Sequence, residues 1–263
     1  MKILVVALPV PDSRATVKVA AGQPALETKG LKFVCNPFDE YAIEQAVQLK
    51  ETREAVEEIV ALAIGGPNAL ISLRAALAMG ADRGIHINTE EFPTHDEITV
   101  ARVLAQAVRL EQTTFDLILC GKQTIDNDSG ELGPALAEFL DLTHAGAIVH
   151  FDLDGSGSTF TAHRRIEGAE EILQGALPAL ITCEKGLVEP RFPSLPNLMK
   201  AKKKPMTTLT SAELSILAEI APGLTLVELT PPPPRPECTI IEGEPAEIAR
   251  KLTNLLRTEA KVI

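Results

Sequence analysis

The sequence has no tryptophan and a single tyrosine, Tyr41, and aromatic residues make up 3% of its 263 positions. Its core must therefore be filled by Ala, Leu, Ile and Val, and stacking platforms for single-stranded nucleic acid are scarce. Positive charge is also in short supply. Twenty-five Lys and Arg face 36 Asp and Glu, a formal charge of −11 that repels phosphate backbones and anionic membrane surfaces. Nucleic acid is not an expected partner. No apolar run approaches the ~18–20 residues that cross a bilayer, and residues 1–4 lead into a strand pattern rather than a signal peptide. Direct membrane insertion is not expected, and the expected compartment is the cytoplasm, or the mitochondrial matrix in a eukaryote.

The four cysteines, Cys35, Cys120, Cys183 and Cys238, contain no CxxC pair. Neither a zinc site nor a redox dithiol is indicated, and buried thiols in a reducing compartment are expected. His86, His95, His144, His150 and His163 show no HxxxH or HExxH spacing, and no serine lies in a G-x-S-x-G elbow. The minimum parts of a metallohydrolase or serine hydrolase are thus missing, so neither a metal nor a catalytic residue is expected. G-x-G-x-x-G and the Walker lysine motif are absent too, which disfavours a standard dinucleotide fold or an ATPase.

What remains is the composition of an ordinary globular protein, 45% hydrophobic and 23% charged. Hydrophobic periodicity alternates between short apolar runs and helical patterns, a βαβ rhythm that predicts an α/β fold with an open, mostly parallel sheet and helices on both faces. Strands are expected at 2–8, 58–64, 84–87, 115–120, 145–151, 159–165 and 178–183. Helices are expected at 39–52, 68–79, 96–110 (capped by Thr94 or Asp96), 131–140 and 245–257. The run at 2–8 (KILVVAL) reads as a central strand buried on both faces, ended by a loop at 9–12 (PVPD). From residue 189 the character changes. Residues 189–206 hold four prolines and a lysine cluster, and 231–236 is PPPPRP, so neither stretch can be a central strand or a helix interior. The expected organisation is an α/β domain at 1–188, a protruding loop at 189–206 and an extended C-terminal arm with a helix at 207–263.

The strongest local signal is 119–134 (LCGKQTIDNDSGELGP), between a buried strand and a helix. In an open parallel sheet, ligands bind at the carboxyl ends of the strands. Gly121, Ser129, Gly130 and Gly133 permit close backbone approach, and the amides opening the next helix suit a phosphate. Lys122 adds a point charge, while Gln123, Asp126 and Asp128 offer donors and acceptors for a ribose or base. A polar loop running into a capped helix would have the same features. Asn36-Pro37-Phe38-Asp39 is a second candidate for the same crevice edge, although a helix cap alone also accounts for it.

The cluster Lys200, Lys202, Lys203 and Lys204 stands out in an acidic chain. Just before it, Pro193 and Pro196 stiffen a segment whose Leu195, Leu198 and Met199 have no expected regular structure to bury them. Apolar side chains on a preordered loop suit a protein-docking knob, because preorganisation lowers the ordering cost. The competing reading is a solvated basic turn.

In order and spacing, 36–51 (NPFDEYAIEQAVQLKE), 76–86 (ALAMGADRGIH), 119–128 (LCGKQTIDND) and 189–204 (EPRFPSLPNLMKAKKK) resemble blocks of the electron transfer flavoprotein β-subunit family. The segment 164–182 also resembles it, with Arg164, Glu167-Gly168, Glu171 and Pro178 in family positions and Ala169 a departure. The resemblance implies a Rossmann-like β subunit in a heterodimer whose α subunit holds the redox-active FAD. It further implies a nucleotide in this subunit, AMP in shuttling relatives or a second FAD in electron-bifurcating ones. The residues it implies are Val6; Asn36, Pro37, Phe38 and Asp39; Gly65; and the loop Gly121, Lys122, Gln123, Thr124, Ile125, Asp126, Asn127, Asp128, Ser129, Gly130, Glu131 and Leu132. The stretch 126–129 is closer to AMP-binding relatives, whereas Leu132-Gly133-Pro134 resembles the bifurcating kind.

The resemblance also implies that Leu195, flanked by Pro196, Asn197, Leu198, Met199 and Lys200, anchors an acyl-CoA or related flavoprotein dehydrogenase of fatty acid oxidation. Electrons would pass on to a downstream quinone-linked oxidoreductase, with no acid or base chemistry in this chain. Asp12-Ser13 falls where relatives approach the α-bound flavin, often with an aromatic, and Ser13 departs from that. Leu8-Pro9 likewise stands where a basic pair is common. The reading from a different class is a nucleotide-binding regulatory module with neither flavin nor α partner.

Overall fold

The computed structural model describes residues 1–89, 96–210, 212–214, 223–235 and 237–263. The possible cap Thr94 and His95 lie outside the described residues. The chain divides into two compact units, Met1–Glu228 and Leu229–Ile263.

The first unit is built on a sheet of nine strands. Its strands are β1 (Lys2–Val6), β4 (Glu58–Gly65), β5 (Arg83–Asn88), β6 (Leu117–Gly121), β7 (Thr143–Leu153), β8 (Thr159–Ile166), β9 (Ala169–Ala176), β10 (Ala179–Cys183) and β11 (Met206–Leu209). A separate ribbon pairs β2 (Pro9–Pro11) with β3 (Phe33–Cys35), antiparallel. The helices are α1 (Pro37–Thr52), α2 (Ala69–Met79), α3 (Glu97–Leu110), α4 (Leu132–Leu140) and α5 (Leu195–Ala201).

Sheet order is β11-β5-β4-β1-β6-β10-β7-β8-β9, parallel up to β7 and antiparallel through the β7–β8–β9 meander. This is the open, Rossmann-like α/β sheet that the alternating pattern predicts. β1 shows why its sequence is unbroken by polar residues. Ile3 and Val5 pack with Ile43, Ala46, Leu73 and Leu77 of α1 and α2, while Leu4 and Val6 pack with Val103, Leu104 and Leu136 of α3 and α4. A strand covered by helices on both faces has no solvent side to mark with polar residues.

Four features depart from expectation. β1 stops at Val6, and the expected loop 9–12 pairs with β3 instead; Val10 is buried between two prolines that a two-stranded ribbon tolerates. β9 lacks a β-branched pattern, and it is held by pairing with β8, where Arg164 faces Glu171 and Arg165 faces Glu170. The segment around Leu195, expected to be irregular, forms α5, because Ser194 caps it and Pro196 occupies its first turn, where a missing N–H costs nothing. Finally, β11 extends the sheet edge beside β5. In the second unit, α6 (Pro245–Thr258) forms where expected, and none of its residues is buried. Among the described residues, no helix is long and apolar enough to cross a membrane.

Candidate nucleotide crevice and docking surface

From β1 the chain passes through α1 to β4 on one side, while β6 lies on the other. The carboxyl ends of β1 and β6 therefore border a topological switch point. One side chain ties the two ends together. Asp39, in the first turn of α1, accepts the Leu8 N–H at 2.7 Å through Oδ2 and the Gly121 N–H at 2.9 Å through Oδ1. It is fully enclosed, and burial pushes its carboxyl up to about 7 against the opposing pull of those two amides. Gly121 is compulsory here, since a Cβ would lie 2.6 Å from both Asp39 Oδ1 and Phe38 Cβ. Asn36 is completely buried; its Nδ2 donates to the Gln123 carbonyl at 2.9 Å, and its Oδ1 has no partner. Val6, at the end of β1, is buried.

The loop after β6 is internally braced. Gln123 Nε2 donates to Asp128 Oδ1 at 2.6 Å, and Thr124 Oγ1 donates to Asn127 Oδ1 at 3.0 Å. Asp128 at φ 56° and Gly130 at φ 67° turn the backbone through the left-handed region. Gly133 lets α4 lie close against β10, because a Cβ there would come within 2.2 Å of Thr182 Cγ2. Lys122 lies over the Phe38 ring, 5.5 Å from its centroid, and is ion-paired with Glu184, so its charge is already partnered.

A cleft of about 290 Å³ opens at this end of the sheet. Gly65, Thr124, Asp126, Asn127 and Leu132 line it, together with Leu8, Pro9, Phe33, Gly66, Asn68 and Glu97. The structure thus brings the end of β4, the β6–α4 loop and the β2–β3 ribbon around one cavity. Asn36 and Asp39 support it from beneath rather than lining it, while Pro37 is exposed and Phe38 half-buried.

Glu97 was not among the expected residues. Its Oε2 accepts the N–H groups of Glu131 (3.1 Å) and Leu132 (3.0 Å), and its Oε1 accepts Asn127 Nδ2 at 2.8 Å. An acidic residue next to the Asp96 cap reads in sequence as an ordinary first-turn carboxylate. Only the fold reveals that it reaches the amides opening α4, the donors the sequence offers to a phosphate.

Asp12 is buried at the mouth of the β2–β3 ribbon. It accepts Arg14 N and Nε at 3.0 Å and Nη2 at 2.9 Å, with Lys32 Nζ at 3.1 Å, and these cations hold its carboxyl well below the usual range. Ser13 beside it is exposed.

The second expected surface lies away from the crevice. Leu195 is 74% exposed, Met199 57% and Leu198 45%, beside Phe192 at 98%. Pro196, Asn197 and Lys200 are exposed too, which leaves α5 with only Ala201 buried. Among the described residues no cluster of His, Cys, Asp and Glu could hold a metal ion.

Residues 25–214 match the electron transfer flavoprotein domain. Over 96% of each chain, the sequence is 40% identical to the electron transfer flavoprotein subunit beta of Bacillus subtilis (strain 168). It is 35% identical to the mitochondrial electron transfer flavoprotein subunit beta of Arabidopsis thaliana over the full length of both. It is 34% identical to the electron transfer flavoprotein subunit beta of Sus scrofa, across all of this chain and 99% of the other.

Proposed function

The chain belongs to the electron transfer flavoprotein β-subunit family, and from that premise we propose that it works in a heterodimeric, single-flavin electron shuttle and binds AMP structurally. Membership implies electron transfer flavoprotein function and pairing with an α subunit. FAD, held mainly by the α subunit, supplies the redox chemistry of the complex. This chain supplies a nucleotide-braced scaffold and a docking surface, and needs no catalytic acid or base. Such a shuttle would work in the cytoplasm or, in a eukaryote, in the mitochondrial matrix.

The observation that carries the nucleotide reading is the cleft at the β1–β6 switch point. Three features fit a mononucleotide there. Its volume of about 290 Å³ is at the lower end of the range of small-ligand sites. The Glu131 and Leu132 amides already hold an oxyanion, the carboxylate of Glu97, as they would hold a phosphate. Close by, Asn36 Oδ1 is a buried acceptor still lacking a donor. Gly65 and the loop 121–132 would hold the nucleotide, flanked by Pro37 and Phe38, with the enclosed Asn36, Asp39 and Val6 bracing the strand ends behind them.

The exposed cluster on α5 supports the docking reading. Leu195, with Pro196, Asn197, Leu198, Met199 and Lys200, meets an acyl-CoA or related flavoprotein dehydrogenase, and the electrons then leave toward a quinone-linked oxidoreductase. The apolar face of α6 and the segment 207–263 bind the α subunit.

Co-expression with the α subunit, followed by extraction and counting of bound cofactors, tests the assignment. One FAD and one AMP per heterodimer is the expected result. Two FAD and no AMP would replace the shuttle with an electron-bifurcating complex. A colourless preparation lacking flavin would return the chain to the class of regulatory nucleotide-binding modules.

A further inference from the structure

α5 has seven residues and buries one of them. A helix so short does not hold together alone in water. Beyond its own packing on α2, its order comes from the chain on either side, and there the structure places two cations. Upstream, the Arg191 guanidinium grips two carboxylates of α1. Nε and Nη2 donate to Glu44 at 2.8 and 3.0 Å, while Nη1 and Nη2 donate to Glu51 at 2.6 and 2.8 Å. Glu44 and Glu51 are seven positions apart, two turns along one helix face. The Glu44 side chain is 3% exposed, so it depends on Arg191, together with Gln48 Nε2 at 2.8 Å, to be buried as an anion. Downstream, Lys204 reaches back to the end of α2, where its Nζ donates to the carbonyls of Leu77 (2.9 Å) and Ala81 (2.5 Å). A cation at those carbonyls complements the negative helix end.

We propose that Arg191 and Lys204 are positioning residues for partner docking: they fasten the two ends of the 192–203 excursion to α1 and α2, so that the exposed side chains of α5 meet the dehydrogenase already ordered. The proposal rests on the docking reading above and goes beyond it, because neither residue belongs to the apolar contact set. Recognition then uses two kinds of residue, exposed apolar groups that touch the partner and half-buried cations that keep those groups in place.

The test uses the purified α–β complex and a flavoprotein dehydrogenase that reduces it. Arg191→Lys keeps the charge but loses the planar fork that bridges two carboxylates. Should that variant fail to fold, Glu51→Gln serves instead, removing one exposed carboxylate while Glu44 keeps its pairing. The expected result for Arg191→Lys is faster amide hydrogen exchange confined to 195–201 and a dehydrogenase affinity about tenfold weaker, with nucleotide content and the limiting transfer rate unchanged. Glu51→Gln moves both readouts in the same direction by less. Combined with Leu195→Ala, Arg191→Lys adds less than its separate effect, since both act through α5. Wild-type affinity in the folded variant overturns the proposal, as does additivity with Leu195→Ala. If Leu195→Ala alone leaves affinity unchanged, the docking reading fails, and hydrogen exchange at 195–201 then shows whether the anchors order α5 at all.

Discussion

The crevice and the docking knob are built by opposite strategies. At the crevice, the groups proposed for nucleotide binding rest on enclosed ones: Asp39 and Asn36 are buried, Gly121 has no room for a methyl group, and the loop's polar side chains bond one another. At the knob, the side chains proposed to dock face water, and the buried carboxylate, Glu44, sits in the fastening to α1. The contrast shows where disruption would spread. Damage at the crevice should reach the fold, because its parts hold β1 to β6. Damage at the tip of the knob should reach only the partner.

The largest expected effect tests the crevice half of this contrast by pH. Asp39 keeps its proton up to about pH 7 in the folded chain, whereas in the unfolded chain it releases it near 4. Between those values the folded state binds the extra proton, so stability relative to the Asp39→Asn variant falls as pH rises, by up to about 4 kcal/mol. Below pH 4 the Asp39 contribution is fully present. Urea denaturation of both proteins across pH 4–8 measures this, and a wild-type advantage that grows with pH would break the account of Asp39.

Gly121→Ala comes next, with a cost of roughly 1–3 kcal/mol from overpacking against Asp39 and the Phe38 backbone. Loss of bound nucleotide should accompany it. An alanine variant of wild-type stability would mean that the β6 end is looser than these distances indicate.

At the knob, Leu195→Ala should leave the melting temperature and nucleotide content alone while weakening dehydrogenase binding by ~1–3 kcal/mol. A fall in melting temperature of several degrees would erase the distinction between the two regions.

Glu97→Ala sharpens the comparison most finely. It removes the acceptor from the amides opening α4, a change worth about 1 kcal/mol, comparable to losing a helix cap. Added AMP should recover that stability by supplying its phosphate to the freed amides. If adenosine rescues the variant equally well, the phosphate is held elsewhere.

Much of this was legible in the sequence. The run at 2–8 read as a strand covered on both faces and the run at 58–64 as the next strand, and glycines at 121, 130 and 133 marked a loop that permits close backbone approach. Glu97 was not legible, because its partners lie thirty or more residues away and its neighbour Asp96 already accounts for an acidic helix start. α5 was obscured by the two prolines on which the irregular reading rested. β9, whose pattern holds two adjacent glutamates, became a strand through the arginines across from it. The weight of Arg191 was hidden in the same way, since a lone arginine among prolines does not announce two carboxylates on a distant helix.

The placement of β11 bears on how the chain is made. β5 is flanked by β4 on one side and β11 on the other. During synthesis β4 and β5 leave the ribosome early, but β11 follows only after the whole β7–β8–β9 meander, β10 and α5. Until then the outer edge of β5 presents unpaired backbone groups, the kind of edge on which nascent chains join to one another. A ribosome stalled before residue 206 would leave that edge open. Yield in the cell should therefore depend on how quickly the chain is translated through the docking segment and on whether a chaperone covers β5 in the meantime.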